Sequence, residues 1–201
     1  MSFLSPLETT KGVKISSNTR NQLELWLQTI DVKGSVLDIG GSQNPIKGRT
    51  KSWLVDNYKI LDLEQPHECK QKPDIVADIQ EDYTASDQDI FDNIFCIEVS
   101  EYWYDPIFAL NNIHRLLKKD GLLFISFHFI YPQHKPIGTD FLRYTPIGAE
   151  KLLQEAEFEI LENIPRLSTF DFIEAWQAEG MRGWKDFDSN EIGSLITARK
   201  I

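Results

Sequence analysis

Short apolar runs alternating with amphipathic stretches predict an α/β protein, built on a mostly parallel seven-stranded sheet with an antiparallel last strand and helices on both faces. Three observations carry that expectation. Apolar runs of strand length recur from Ser35 to Lys200, several of them end in glycine or an acid, and stretches of helical periodicity lie between most of them. The 201 residues suit one domain over 1–201, with 1–34 as an N-terminal extension and helix and 166–190 as a lid insertion. A chain of this length buries about 70% of its unfolded surface, so it needs no disulfide or structural metal to hold together.

Ser17 or Asn18 caps a first helix over Thr19–Ile30, where Leu23, Trp26, Leu27 and Ile30 share one face. Asp31–Gly34 breaks it, and Ser35–Ile39 reads as a buried strand entering the tight turn at Gly40 and Gly41. The second strand is Tyr58–Asp62, with Trp53–Asp56 as a competing reading of the same region. Pro73–Ile79 and Ile90–Ile97 are the third and fourth. Pro106 opens a helix to Lys119 with Phe108, Leu110, Ile113, Leu116 and Leu117 inward and Lys118 and Lys119 at its C-terminal end. Asp120 and Gly121 stop it. Gly121–Phe129 is the fifth strand, Thr145–Glu157 a helix, Phe158–Asn163 the sixth strand and Ile192–Lys200 the seventh, and the last two suggest an antiparallel edge. Within the lid, Phe172, Ile173 and Trp176 recur at helical spacing, Gly180 and Gly183 permit movement, and Arg182 is placed to meet an anionic acceptor.

Composition excludes several classes. The formal charge is −10 with no Lys/Arg cluster, which argues against nucleic acid as a partner. The first residues lack a basic stretch followed by an apolar run, so no secretory signal and a cytoplasmic location are expected. The most apolar stretch, Gly121–Tyr131, is far shorter than the roughly 20 residues a membrane span needs. Cys69 and Cys96 form no paired motif, Cys96 reads as core packing, and His67–Cys69 reads as a solvated loop.

The segment Val36–Pro45 (Val-Leu-Asp-Ile-Gly-Gly-Ser-Gln-Asn-Pro) delivers an acid, Asp38, and then two glycines that let a ligand approach the backbone closely. Ligands of open α/β sheets bind beyond the carboxyl ends of the strands. Asp62, 22 residues after Gly40, has the spacing for a ribose diol, with Asp56 at 16 residues as its rival. Asp78 then suits an adenine amino group, with Ile79 packing on the ring.

Together these segments resemble the class I S-adenosylmethionine-dependent methyltransferases, in particular their small single-domain type 11 group. Val36–Gly41 is similar to the family's first motif, Ile75–Asp78 to its third-strand acid and Phe91–Val99 to its fourth strand, while Asn112–Gly121 resembles its Arg-x-Leu-Lys-Pro-Gly-Gly turn. The resemblance implies a Rossmann-like fold, S-adenosylmethionine as cofactor, S-adenosylhomocysteine as product, and cofactor contacts at Asp38, Gly40, Gly41, Ser42, Asp62, Asp78, Ile79, Ile97 and Glu98. Two departures stand out. Ser42–Pro45 replaces the remaining glycines of the loop, and Glu98–Tyr102 reads Glu-Val-Ser-Glu-Tyr where the family commonly has Glu-Val-Leu-Glu-His, so no histidine role carries over to Tyr102.

Methyl transfer from an activated sulfonium requires alignment of the acceptor and, where necessary, removal of its proton. The stretch Phe127–Thr145 is dense in suitable groups. It nominates His134 as base with His128 and Tyr144 beside it, and Tyr131, Asp140 and Arg143, with Tyr102, around a small-molecule or sugar-type acceptor. The competing readings are a strand-bonded His128 and a loop ion pair between Asp140 and Arg143. His128, His134 and Asp140 lack a compact ligand motif, so no metal is expected. A non-catalytic binding protein on the same fold is the alternative function. A nicotinamide enzyme is disfavoured by the missing Gly-x-Gly-x-x-Gly.

Overall fold

A strand buried on both faces must be apolar at consecutive positions, and the central strands of this chain are. The computed structural model describes residues 17–66, 68–81, 88–134, 139–170, 180 and 190–201. The elements run α1 (Asn18–Leu27), β1 (Asp31–Ile39), β2 (Ser52–Asp62), β3 (Ile75–Val76), β4 (Phe91–Cys96), a 3-10 turn (Ser100–Tyr102), α2 (Pro106–Leu116), β5 (Leu117–His128), α3 (Pro146–Glu155), β6 (Phe158–Leu167) and β7 (Glu191–Lys200). The strands form one sheet in the order β3-β2-β1-β4-β5-β7-β6. β7 is antiparallel to both its neighbours; the other pairs are parallel.

Alternate residues of the central strands face opposite layers. Leu37, Ile94, Leu123 and Ile125 pack with Leu110, Ile113, Ala149 and Leu153 of α2 and α3. Val36, Phe95, Phe124 and Leu195 pack with Leu23, Trp26 and Leu27 of α1. Ser17 caps α1, its hydroxyl accepting from the Arg20 N–H, and Thr145 caps α3 in the same way through the Gly148 N–H. Among the described residues no helix is long and apolar enough to cross a membrane.

Several elements differ from the sequence expectation. The two readings of the second strand are halves of one strand: its pairing with β1 slips between Gly34 and Ser35, skipping Asp56. β1 likewise starts at Asp31, so the residues read as a helix break are paired. α2 stops at Leu116 and the chain enters β5 at once, which puts Lys118 on Asp92 of β4 at 2.9 Å instead of at a helix end. Phe108 is exposed; Ala109 and Asn112 take the inward positions, Asn112 donating to the carbonyls of Ile79 and Glu81. The expected antiparallel edge is the β7–β6 pair, with β6 outermost. Ser168 N–H donates to the Asn190 carbonyl at 2.8 Å, so the chain returns where it left and β7 enters between β5 and β6 with both edges paired.

Helices also separate fewer strands than expected. Among the described residues only the β4–β5 and β5–β6 connections carry one, and the chain from Gly40 to Lys51 between β1 and β2 is helix-free. Fully buried Ile46 fills the space on the α1 side, and Arg49 ties the loop to Glu24 of α1 at 2.7 Å. The 166–190 lid is corrected at its start, since Arg166 and Leu167 belong to β6. Its Phe172, Ile173, Trp176, Arg182 and Gly183, like His67, lie outside the described residues.

Candidate functional site

Strand order reverses at β1, whose neighbours β2 and β4 continue the chain in opposite directions, and a cleft of about 510 Å³ opens beyond these carboxyl ends. Gly40, Asp62, Asp78, Ile79, Glu98 and Tyr102 line it, with Gln43, Val99 and the neighbouring aromatics Trp103 and Tyr104, joined by Gln80 and Phe141, which sequence reasoning did not select. Gly40 has φ +73°, and a Cβ there would stand 2.4 Å from Val99 Cγ2, so the position tolerates only glycine.

Asp62 ends β2. Its Oδ2 accepts from the Ser42 N–H at 3.1 Å and its Oδ1 from the Leu63 N–H at 2.9 Å, which fixes the carboxylate while leaving lone pairs for a ligand. The rival, Asp56, lies beside Asp31, Lys33 and Asp92 in a separate hollow at the amino ends of the strands. Asp78 Oδ1 accepts from the Gln80 N–H at 2.9 Å. Gln80 in turn accepts from the Tyr104 and Asp105 N–H groups.

Four of the expected cofactor residues stand behind the cleft wall. Asp38 is 3% exposed, its Oδ2 accepting from the Ile46 N–H at 2.7 Å and the Tyr58 hydroxyl at 2.6 Å. Burial pushes its pKa up to about 6 against those two hydrogen bonds. Gly41 leaves room for this carboxylate, since a Cβ would come within 2.5 Å of it. Ser42 acts through its backbone, its carbonyl accepting from Lys70 and Gln71. Ile97 packs on the α1-side core. The acid of the first motif therefore props the helix-free loop, a role the altered Ser42–Pro45 segment demands.

Asp38 yields a pH prediction. A carboxyl whose folded pKa is raised contributes stability that is complete below its unfolded pKa and is lost as pH rises through the folded value. The chain is expected to lose roughly 2 kcal/mol through this group between about pH 4 and 7. Asp38→Asn keeps an acceptor for both donors and removes that component. Urea unfolding at a series of pH values checks it; superimposable profiles for the two proteins would refute it.

The chain after β5 folds back onto the 3-10 turn. The Phe141 and Leu142 N–H groups donate to the Glu101 carbonyl at 2.8 and 3.1 Å, and the Tyr144 N–H to the His128 carbonyl at 2.7 Å. Tyr144 is 6% exposed and its hydroxyl donates to the Ser100 carbonyl at 2.8 Å. Burial pushes that phenol's pKa up, and its hydroxyl anchors the loop to the 3-10 turn. Arg143 is bidentate on Asp140 and also donates to the Tyr131 and Pro132 carbonyls, which makes this pair the clasp of the loop. Its guanidinium beside Asp140 holds that carboxyl below the usual range.

The clasp brings the histidines together. His134 stacks on Tyr102 at 5.6 Å and His128 on Tyr131 at 4.3 Å. His128 Nε2 lies 3.2 Å from Glu98 Oε2 and 3.4 Å from Glu101 Oε1; burial opposes its protonation, yet the Glu101 and Glu98 carboxylates prevail and push its pKa up to about 9. His134 Nδ1 lies 3.3 Å from Asp140 Oδ2 and 3.8 Å from Glu101 Oε1.

Glu98, two residues past the end of β4, has φ +59°, a strained backbone for a residue with a side chain. Ser126 Oγ donates to its Oε1 and accepts from its N–H, and buried Arg166 donates to Oε1 at 2.7 Å. Despite burial, His128 and Arg166 hold Glu98 well below the ordinary carboxylate range. Three members of this network, Ser126, Glu101 and Arg166, were not selected from the sequence. Glu101 was visible as the second acid of Glu98–Tyr102, whereas Arg166, 68 residues from Glu98, gives no local signal.

A glycine pressed against Val99, carboxylates at the end of β2 and just past β4 beside it, and a reversed seventh strand inserted before the sixth define the class I S-adenosylmethionine-dependent methyltransferases. A family profile described as "Methyltransferase domain" matches residues 16–199, and the chain belongs to that family. No curated protein sequence matches the chain. Among solved structures, a Bacillus halodurans C-125 protein assigned as a methyltransferase is 16% identical with a TM-score of 0.61, covering 90% of this chain and 97% of its own. An S-adenosylmethionine-dependent methyltransferase from Mesorhizobium loti is 14% identical with a TM-score of 0.57, over 92% and 98% of the two chains. The [4+2]-cyclase SpnF is 17% identical with a TM-score of 0.56, over 91% and 80%. At these identities the likeness is one of fold.

Proposed function

We propose that this chain transfers the methyl group of S-adenosylmethionine to a small hydroxylated acceptor of sugar type, releasing S-adenosylhomocysteine. The observation that carries the reading is the single cleft that Gly40, Asp62, Asp78 and Glu98 share at the point where strand order reverses. Asp62 accepts from the ribose hydroxyls, Asp78 with Ile79 receives the adenine, and Glu98 sets a negative charge toward the sulfonium. The acceptor lies over Tyr102, Tyr104 and Phe141, whose rings line the same cleft. His134, stacked on Tyr102, takes the acceptor proton as the oxygen attacks the methyl carbon and the carbon–sulfur bond breaks. A net charge of −10 supports a small uncharged acceptor over nucleic acid.

Calorimetric titration with S-adenosylmethionine, S-adenosylhomocysteine and NAD tests the first half. Micromolar binding of the first two and none of NAD is expected; binding of NAD alone would overturn it. A screen of sugars and other hydroxylated compounds for S-adenosylhomocysteine release tests the second half. The helix-free connection from Gly40 to Lys51 favours one other reading, a binding or assembly protein that keeps the cofactor site without turnover. Tight S-adenosylhomocysteine binding with no release on any acceptor would select it.

A further inference from the structure

Buried carboxylates are normally matched by a fixed cation or by hydrogen bonds, because an unpaired one costs several kcal/mol. Of the three beside the histidines, Asp140 has Arg143 and Glu98 has Arg166. Glu101 has neither. It is fully buried, and among the described residues its two side-chain oxygens make no hydrogen bond and are approached by His128 Nε2 and His134 Nδ1. Those two nitrogens also lack hydrogen bonds, and the three donor atoms lie within 4.8 Å of one another.

A cation about 2.1 Å from each of three donors, at angles between octahedral and tetrahedral, holds those donors about 3.0–3.4 Å apart. The observed Glu101–His128 and Glu101–His134 separations, 3.4 and 3.8 Å, fit that with a small side-chain rotation. We propose that Glu101, His128 and His134 bind a divalent first-row transition-metal ion. Two imidazoles and one carboxylate suit zinc, iron(II), manganese(II) or cobalt(II), and disfavour magnesium and calcium, which take oxygen donors. Open positions would remain for an acceptor oxygen, as in catalytic sites with three protein ligands. The His128 and Tyr131 rings, 4.3 Å apart, and the His134 and Tyr102 rings, 5.6 Å apart, hold both imidazoles in place. This site departs from the expectation of no metal because the carboxylate that completes it, Glu101, comes from the 3-10 turn and not from the histidine-bearing segment.

The inference stands apart from methyl transfer. A bound cation would engage His134 and lower the pKa of an acceptor hydroxyl at an open position, its proton leaving to solvent, whereas cofactor binding at Asp62 is unaffected. The full chain, stripped with EDTA, is titrated with cobalt(II) without cofactor, and visible absorption, bound metal per chain and melting temperature are read. One cobalt per chain with new d–d absorption is expected, at least 100-fold weaker in Glu101→Gln and in His128→Gln. S-adenosylhomocysteine affinity of each variant reports that it is folded and tests the cofactor site separately. No cobalt bound by the parent chain, or unchanged binding in both folded variants, would overturn the proposal.

Discussion

His134→Ala is expected to lower turnover roughly 10²–10⁴-fold, the contribution of a positioned proton acceptor, while S-adenosylhomocysteine affinity stays near that of the parent chain. The imidazole stacks on Tyr102, which lines the cleft, and lies beside Glu101 and Asp140, whereas Asp62 ends β2, so the two effects separate. Initial rates of S-adenosylhomocysteine release, with calorimetry on the same preparation, check it. Unchanged turnover would remove His134 from the reaction. Loss of turnover follows whether the imidazole takes the proton itself or ligates a cation, and cobalt titration separates the two. The loop clasp of Asp140 and Arg143 does not depend on the imidazole, because His134 holds Asp140 through its backbone N–H at 2.7 Å.

Asp62→Ala is expected to weaken S-adenosylmethionine binding 100-fold or more. A carboxylate holding two ribose hydroxyls contributes roughly 1.5–3 kcal/mol per hydrogen bond, and its removal also frees the Ser42 N–H that shapes the loop. Asp62→Asn, which keeps an acceptor for that N–H, isolates the loss of charge. Asp56→Ala should leave affinity unchanged, because Asp56 sits at the opposite end of the sheet. Calorimetry on the three variants checks this; a larger loss for Asp56→Ala would move the ribose site.

Much of the cofactor side was legible because it depends on local sequence. A buried run such as Val36–Ile39 followed by Gly40 announces a strand end and a close approach, and the acid at Asp62 lies where the next strand must end. Strand lengths were less legible. Asp31–Gly34 is mostly polar and ends in glycine, and only its pairing with Ser52–Val55 makes it strand. The single purpose assigned to the first-motif acid also missed its second environment: Asp38 is drawn inward by Tyr58, 20 residues away, and by Ile46.

By itself, the sequence determined the class of sheet, its reversed last strand and the end at which a ligand lies, because apolar periodicity and glycine conformations act over a few residues. The tertiary structure alone decided that β7 lies inside the sheet, that Arg143 and Tyr144 hold a loop, and that Glu101 meets two histidines without a fixed cation. Most of those outcomes rest on contacts between residues distant in sequence, such as Tyr144 with Ser100 and Glu101 with His128 and His134, formed when burial brings polar groups together and each must find a partner.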